Sequence, residues 1–176
     1  MKSIDIMKDK TLGIQIVVLA LLLLTAVLVT HLPVLTTTVT HYWWLPVQLG
    51  AVILVVVAHE LLHGSVFYGL RRKVVFGAKW KTPMGPVFYA SCPGEKFNKT
   101  QYVLMALAPQ LLTIPTWIYG VVLPYSLLST CLLYCAAMNF GGAAADFYMV
   151  AVLLKSRKTQ LVEDTKTGMN LYEEGD

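Results

Sequence analysis

His59 and His63 stand four residues apart in the run VVVAHELLHGSVFYG (55–69), with Glu60 directly after the first of them. On a helix, positions i and i+4 share a face, so two imidazoles at this spacing could ligate one divalent ion. A glutamate beside the first histidine could reach a water at that ion and act as general base, as HExxH sequences do. The surroundings are apolar. Burying a carboxylate and two imidazoles in such a run is unfavourable unless something binds or neutralises them. A lone histidine in an apolar helix can simply hydrogen-bond to a neighbour, and a glutamate can stay protonated. That accounts for one polar residue better than for three at metal-site spacing. The pattern points to Zn2+ held by His59 and His63, with Glu60 as the catalytic base.

Catalytic zinc usually takes three protein ligands and keeps one position open. Within the apolar runs the candidates for the third are His31, His41 and Asp146. His31 and His41 fall at the outer end. His63 precedes Arg71 by 8 residues and Asp146 precedes Lys155 by 9. At 1.5 Å per residue these are depths of ~12 and ~14 Å from the same boundary. Asp146 therefore sits level with the histidine turn. Its alternative is a structural carboxylate paired with a neighbour, but no cation lies at its depth. Asn139 lies about two helical turns from Asp146. It could bind substrate backbone or orient the site, and an ordinary interhelical hydrogen bond would explain it as well.

These residues must be carried by membrane helices. Of 176 residues, 56% are hydrophobic and 14% charged, where a soluble domain carries about 25% charged. Between Thr11 and Leu70 the one formal charge is Glu60, and between Thr100 and Leu154 it is Asp146. All 14 lysines and arginines lie outside those blocks. The apolar runs predict four spans, at about 11–30, 45–69, 102–124 and 126–154. Basic residues cluster at the N-terminus, in the 70–100 loop and after 154. The positive-inside rule then places both termini and that loop in the cytoplasm. Tyr42, Trp43 and Trp44 would join an outer aromatic belt. The first run is read as an uncleaved span, because it is long and no small-residue cleavage site follows. The small net charge of +4 gives no footprint for nucleic acid.

The expected fold is an all-α membrane protein. A domain over 1–154 would hold four transmembrane helices, with a β-hairpin-like cytoplasmic loop between helices 2 and 3 and a cytoplasmic polar tail at 155–176. Within the loop, KVVFGAKW and GPVFYAS read as two strands about the turn-prone KTPMG. Such a hairpin is either a connector or an edge that pairs with an extended peptide. Gly64 would let another helix approach closely, and Gly141 to Ala145 would pack tightly against the histidine helix. Cys92, Cys131 and Cys135 make no disulfide framework. Cys131 and Cys135, one turn apart, favour a packing role.

His59, Glu60 and His63 in one span, with Asn139 and Asp146 in a later one, resemble the site-2-protease class of intramembrane metalloproteases. HELLHG, SCPGEKFNKTQYVLMALAP, NFGGAAADFYMVAVLLK and LVEDTKTGMNLY are similar, in order, to segments of a bacterial family of small membrane proteins described as putative zincin peptidases. The resemblance spans most of residues 50–172. It implies His59, His63 and Asp146 as zinc ligands, Glu60 as base, and a location in the bacterial plasma membrane. The expected function is zinc-dependent hydrolysis of membrane-bound or interfacial peptides. The alternatives are a zinc hydrolase acting on a lipid or small amide, and a non-catalytic protein braced by zinc. The oligomeric state is left open.

Overall fold

The computed structural model describes residues 2–30, 43–82, 85–124, 126–157 and 159–173. Six helices and six strands are found among them. The strands are β1 (Lys2–Asp5), β2 (Val75–Lys79), β3 (Val87–Ser91), β4 (Lys96–Asn98), β5 (Thr159–Thr165) and β6 (Gly168–Glu173). The helices are α1 (Lys10–Val29), α2 (Trp44–Gly69), α3 (Lys99–Leu107), α4 (Gln110–Val122), α5 (Leu127–Gly142) and α6 (Ala144–Lys155).

This corrects the all-α expectation. The hairpin β2–β3 forms from the two expected runs, with Val75 opposite Ser91 and Lys79 opposite Val87. A second antiparallel sheet, ordered β1-β6-β5-β4, draws strands from the N-terminus, the loop and the tail. β1 and β4 have four and three residues, too few to show a period of two. They are strands because β6 and β5 pair with them, which is a non-local cause. The tail is thus a hairpin, turning at Gly168, whose φ of 157° costs a glycine least.

α1 and α2 are long and apolar. With the stretch Lys99–Val122, which contains α3 and α4, they are the three candidates among the described residues to cross a membrane. α5 and α6 make a fourth only if taken together across the bend between them. Leu22, Ile53 and Leu54 are 64%, 65% and 71% exposed. Apolar surface left bare on this scale matches a bilayer as the surrounding solvent.

Each helix start and break has a local cause. Asp9 Oδ1 accepts from the Leu12 N–H at 3.0 Å, which caps α1. Asn98 caps α3 in a reciprocal box with Gln101. Pro109 has no N–H to donate, and the helical path breaks there into α3 and α4. Ser126 and Ser129 form the same kind of box at the start of α5.

The chain divides into two compact units. The first comprises Met1–Val17, Glu60–Ala108 and Ala145–Asp176 and holds all six strands. Its core includes Phe67, Phe97, Leu153, Val162, Met169 and Leu171. The Phe67 and Phe97 rings lie 5.4 Å apart. Each such side chain contributes about 1.5–3 kcal/mol on burial. The second comprises Val18–His59 and Pro109–Ala144. There Val27, Ala136 and Ala137 pack with Leu24, Leu28 and Phe140. A Cβ on Gly141 would stand 2.9 Å from Ala20 O and 3.1 Å from Leu24 Cβ. Gly141 therefore fits α5 against α1, whereas the sequence suggested packing on the histidine helix.

Candidate metal centre

α2 is unbroken through His59, Glu60 and His63, so the helix fixes the spacing of both histidines. His63 is buried, 5% exposed. Its Nδ1 lies 2.8 Å from the backbone oxygen of Met105. That oxygen is available for a reason legible in the chain. Its helical donor would be the N–H four residues on, at position 109, and proline has none. Met105 O receives the Ala108 N–H at 3.2 Å and keeps a lone pair for the imidazole. A carbonyl can only accept, so Nδ1 carries a proton, and in the neutral ring that a metal requires the lone pair is on Nε2.

His59 reaches the same state by another route. Its Nδ1 lies 2.9 Å from Asn139 Oδ1. Asn139 is 1% exposed and its amide is fully committed. Nδ2 donates to Pro109 O and to Thr113 Oγ1, both at 2.7 Å. With both N–H groups used, only the oxygen faces the ring. His59 Nδ1 must donate, and in the neutral ring the lone pair is again on Nε2. Metal-binding histidines are characteristically held this way, by an oxygen on the nitrogen away from the metal.

Asp146 stands in the first turn of α6. Its Oδ2 is 3.5 Å from His63 Nε2. That is long for a charge-assisted hydrogen bond, at ~2.7–2.9 Å. Two ligand atoms each ~2.1 Å from a tetrahedral zinc lie ~3.4 Å apart. The separation thus also suits two ligands of one ion. Ligand atoms of His59, His63 and Asp146 all lie within 4.8 Å of one another. Two neutral imidazoles and one carboxylate are a donor set that zinc accepts with a position to spare.

Glu60 is half-buried beside His59 on the helix. His31 and His41, the other third-ligand candidates, lie outside the described residues. Gly64 accommodates an aromatic ring rather than another helix. A Cβ there would stand 2.5 Å from the end of the Phe76 ring on β2. Cys131 is buried and takes the Gln48 Nε2–H at 3.3 Å, in keeping with a packing role. All three cysteines are free thiols.

Sequence reasoning missed Asp164 on β5. It is 8% exposed, and its Oδ2 accepts from the Cys92 N–H at 3.3 Å. Burial pushes its carboxyl up to about 8. The Cys92 hydrogen bond and the His63 charge oppose this, while the charges of Asp146 and Glu60 add to it. An acid in a polar tail is ordinarily solvated. Nothing in its local sequence marks it as buried in the electrostatic field of the histidine helix.

The sequence profile of a family described as putative zincin peptidase matches residues 52–161. The chain belongs to that family. The matched stretch contains His59, Glu60, His63, Asn139 and Asp146. At this coarse level the family supports a zinc metallopeptidase, and zinc as the ion for the three clustered ligands. No curated protein and no solved structure matches the chain.

Proposed function

We propose that the chain is an intramembrane zinc metallopeptidase of the HExxH, site-2-protease-like type. It would cleave membrane-bound or interfacial peptides in the bacterial plasma membrane. The observation that carries this reading is the cluster of His59, His63 and Asp146, whose ligand atoms lie within 4.8 Å of one another while an oxygen holds Nδ1 of each imidazole. A structural zinc site is usually closed by four protein ligands, whereas three leave room for reaction.

When bound, zinc supplies Lewis acidity, which polarises a carbonyl and allows a water to ionise near neutral pH. The chain supplies the rest. His59 and His63 present their Nε2 lone pairs, held in that tautomer by Asn139 and by Met105 O. Glu60 takes the proton of the attacking water and delivers it to the departing amine nitrogen. Asp146 supplies the negative charge of the ligand set.

Glu60→Gln tests the mechanism, because it keeps the shape and removes the base. Zinc content should stay at the wild-type level while cleavage of a membrane-bound peptide substrate falls by ~100-fold or more. Undiminished cleavage would refute the role of Glu60. No cleavage by the wild type, together with unfolding when zinc is stripped, would favour a zinc brace without catalysis.

A further inference from the structure

Away from the metal centre, three lysines converge on one cavity of the strand-bearing unit. It has a volume of about 300 Å³, and Asp5, Lys8, Lys79, Lys81, Thr82 and Thr167 are among its lining residues. Lys8 comes from the turn between β1 and α1, and Lys79 closes β2. Lys81 follows two residues later, and Thr167 belongs to the turn between β5 and β6.

The charges in this lining do not balance. Asp5 is its one carboxylate, and it is already occupied. Its Oδ1 accepts from the N–H groups of Met7 at 3.0 Å and Lys8 at 3.2 Å. Its Oδ2 lies 3.4 Å from Lys8 Nζ, and it also bonds the Thr167 side chain. Lys79 and Lys81 have no ion pair among the described residues. Three ammonium groups against one carboxylate leave an excess of two positive charges. Gathering like charges without a counter-charge is unfavourable, and an anion in the cavity removes the repulsion. The hydroxyl of Thr82 donates to Gly85 O and that of Thr167 serves Asp5, so the ammonium groups are the donors.

We propose that this cavity binds a phosphate-bearing anion through Lys8, Lys79 and Lys81. A phosphate offers several strong acceptor oxygens to three separate point donors and carries charge to match the excess. Position favours a phospholipid headgroup as its source. Lys8 is two residues before Lys10, where the apolar helix α1 begins. If α1 lies in a bilayer, the cavity lies at headgroup level, where basic residues meet anionic lipid. The phosphate chemistry itself does not depend on that placement, nor on peptidase activity.

The test is calorimetric titration of the full chain in zwitterionic detergent at about 0.15 M salt. The three titrants are dihexanoyl phosphatidylglycerol, dihexanoyl phosphatidylcholine and inorganic phosphate. The wild type should bind phosphatidylglycerol in preference to phosphatidylcholine. Lys79→Gln/Lys81→Gln should weaken that binding by about tenfold or more. Lys155→Gln/Arg157→Gln removes the same charge outside the lining and should change it less than about twofold. The Lys8 side chain is 87% exposed, so Lys8→Gln keeps the fold and gives a smaller loss in the same direction should the double variant misfold. Inorganic phosphate bound as tightly as phosphatidylglycerol names free phosphate as the source, and weaker phosphate binding names the headgroup. Equal losses in the two double variants would overturn the proposal. So would a wild type that binds neither phosphatidylglycerol nor phosphate better than phosphatidylcholine.

Discussion

Asn139→Ala separates a residue that positions a metal ligand from one that only packs. Asn139 makes three hydrogen bonds, to His59 at 2.9 Å and to Pro109 O and Thr113 Oγ1 at 2.7 Å each. At about 1 kcal/mol net for each bond, its truncation should cost about 3 kcal/mol of stability. A structural role predicts that loss and nothing further. The positioning role predicts a second loss, because His59 would be free to rotate or change tautomer. Removing an oxygen that holds a metal-bound histidine typically weakens the metal by 10–100-fold, which is about 1.4–2.8 kcal/mol. The assay is zinc competition against a chromogenic chelator, run below the melting temperature of the variant. Asn139→Asp keeps an oxygen for His59 and should recover most of the zinc affinity even where stability stays low. Wild-type zinc affinity in Asn139→Ala would refute the positioning argument, however unstable the variant proved.

Two further consequences can be measured separately. In metal-free protein the folded state raises Asp164 from the usual 3.8 to about 8. The folded chain therefore holds a proton that the unfolded chain releases, and stability falls as pH rises between these values. Asp164→Asn should melt higher than wild type near pH 8 and close to it near pH 4, and parallel melting profiles across that range would contradict the burial argument. Gly141→Ala places a methyl against the backbone oxygen of Ala20 and should cost about 1–3 kcal/mol. At Gly64 the obstacle is the end of the Phe76 ring, which is 52% exposed and can swing aside. Gly64→Ala should therefore cost under about 1 kcal/mol, since alanine also favours the helix. Chemical denaturation in detergent would rank the two, and the reverse order would contradict the packing described for α1 and α5.

The grouping of His59, His63 and Asp146 was legible because each stands out in its own apolar run. His59 and His63 share a helix face by spacing alone, and Asp146 declared itself as the one other charge in the apolar blocks. The hairpin β2–β3 was legible from two runs rich in Val and aromatic residues about a turn-prone stretch. The larger sheet was not, because Lys2–Asp5 and Lys96–Asn98 are too short to carry a pattern and are strands only through distant partners. Asp164 was invisible for the same reason, as its burial is conferred by the pairing of the tail with the rest of that sheet. The orientation of the histidines was beyond the sequence too. It depends on a proline four residues after Met105 and on an asparagine whose two N–H groups are spoken for elsewhere.

In the proposed site His59, His63 and Asp146 hold one zinc ion. The most direct test is the metal content of purified protein after dialysis against a weak chelator, for wild type and Asp146→Ala. Close to one zinc per wild-type chain is expected, with most of it lost in the variant. A variant that retains full zinc, or a wild type that binds none when zinc is supplied, would contradict this ligand set.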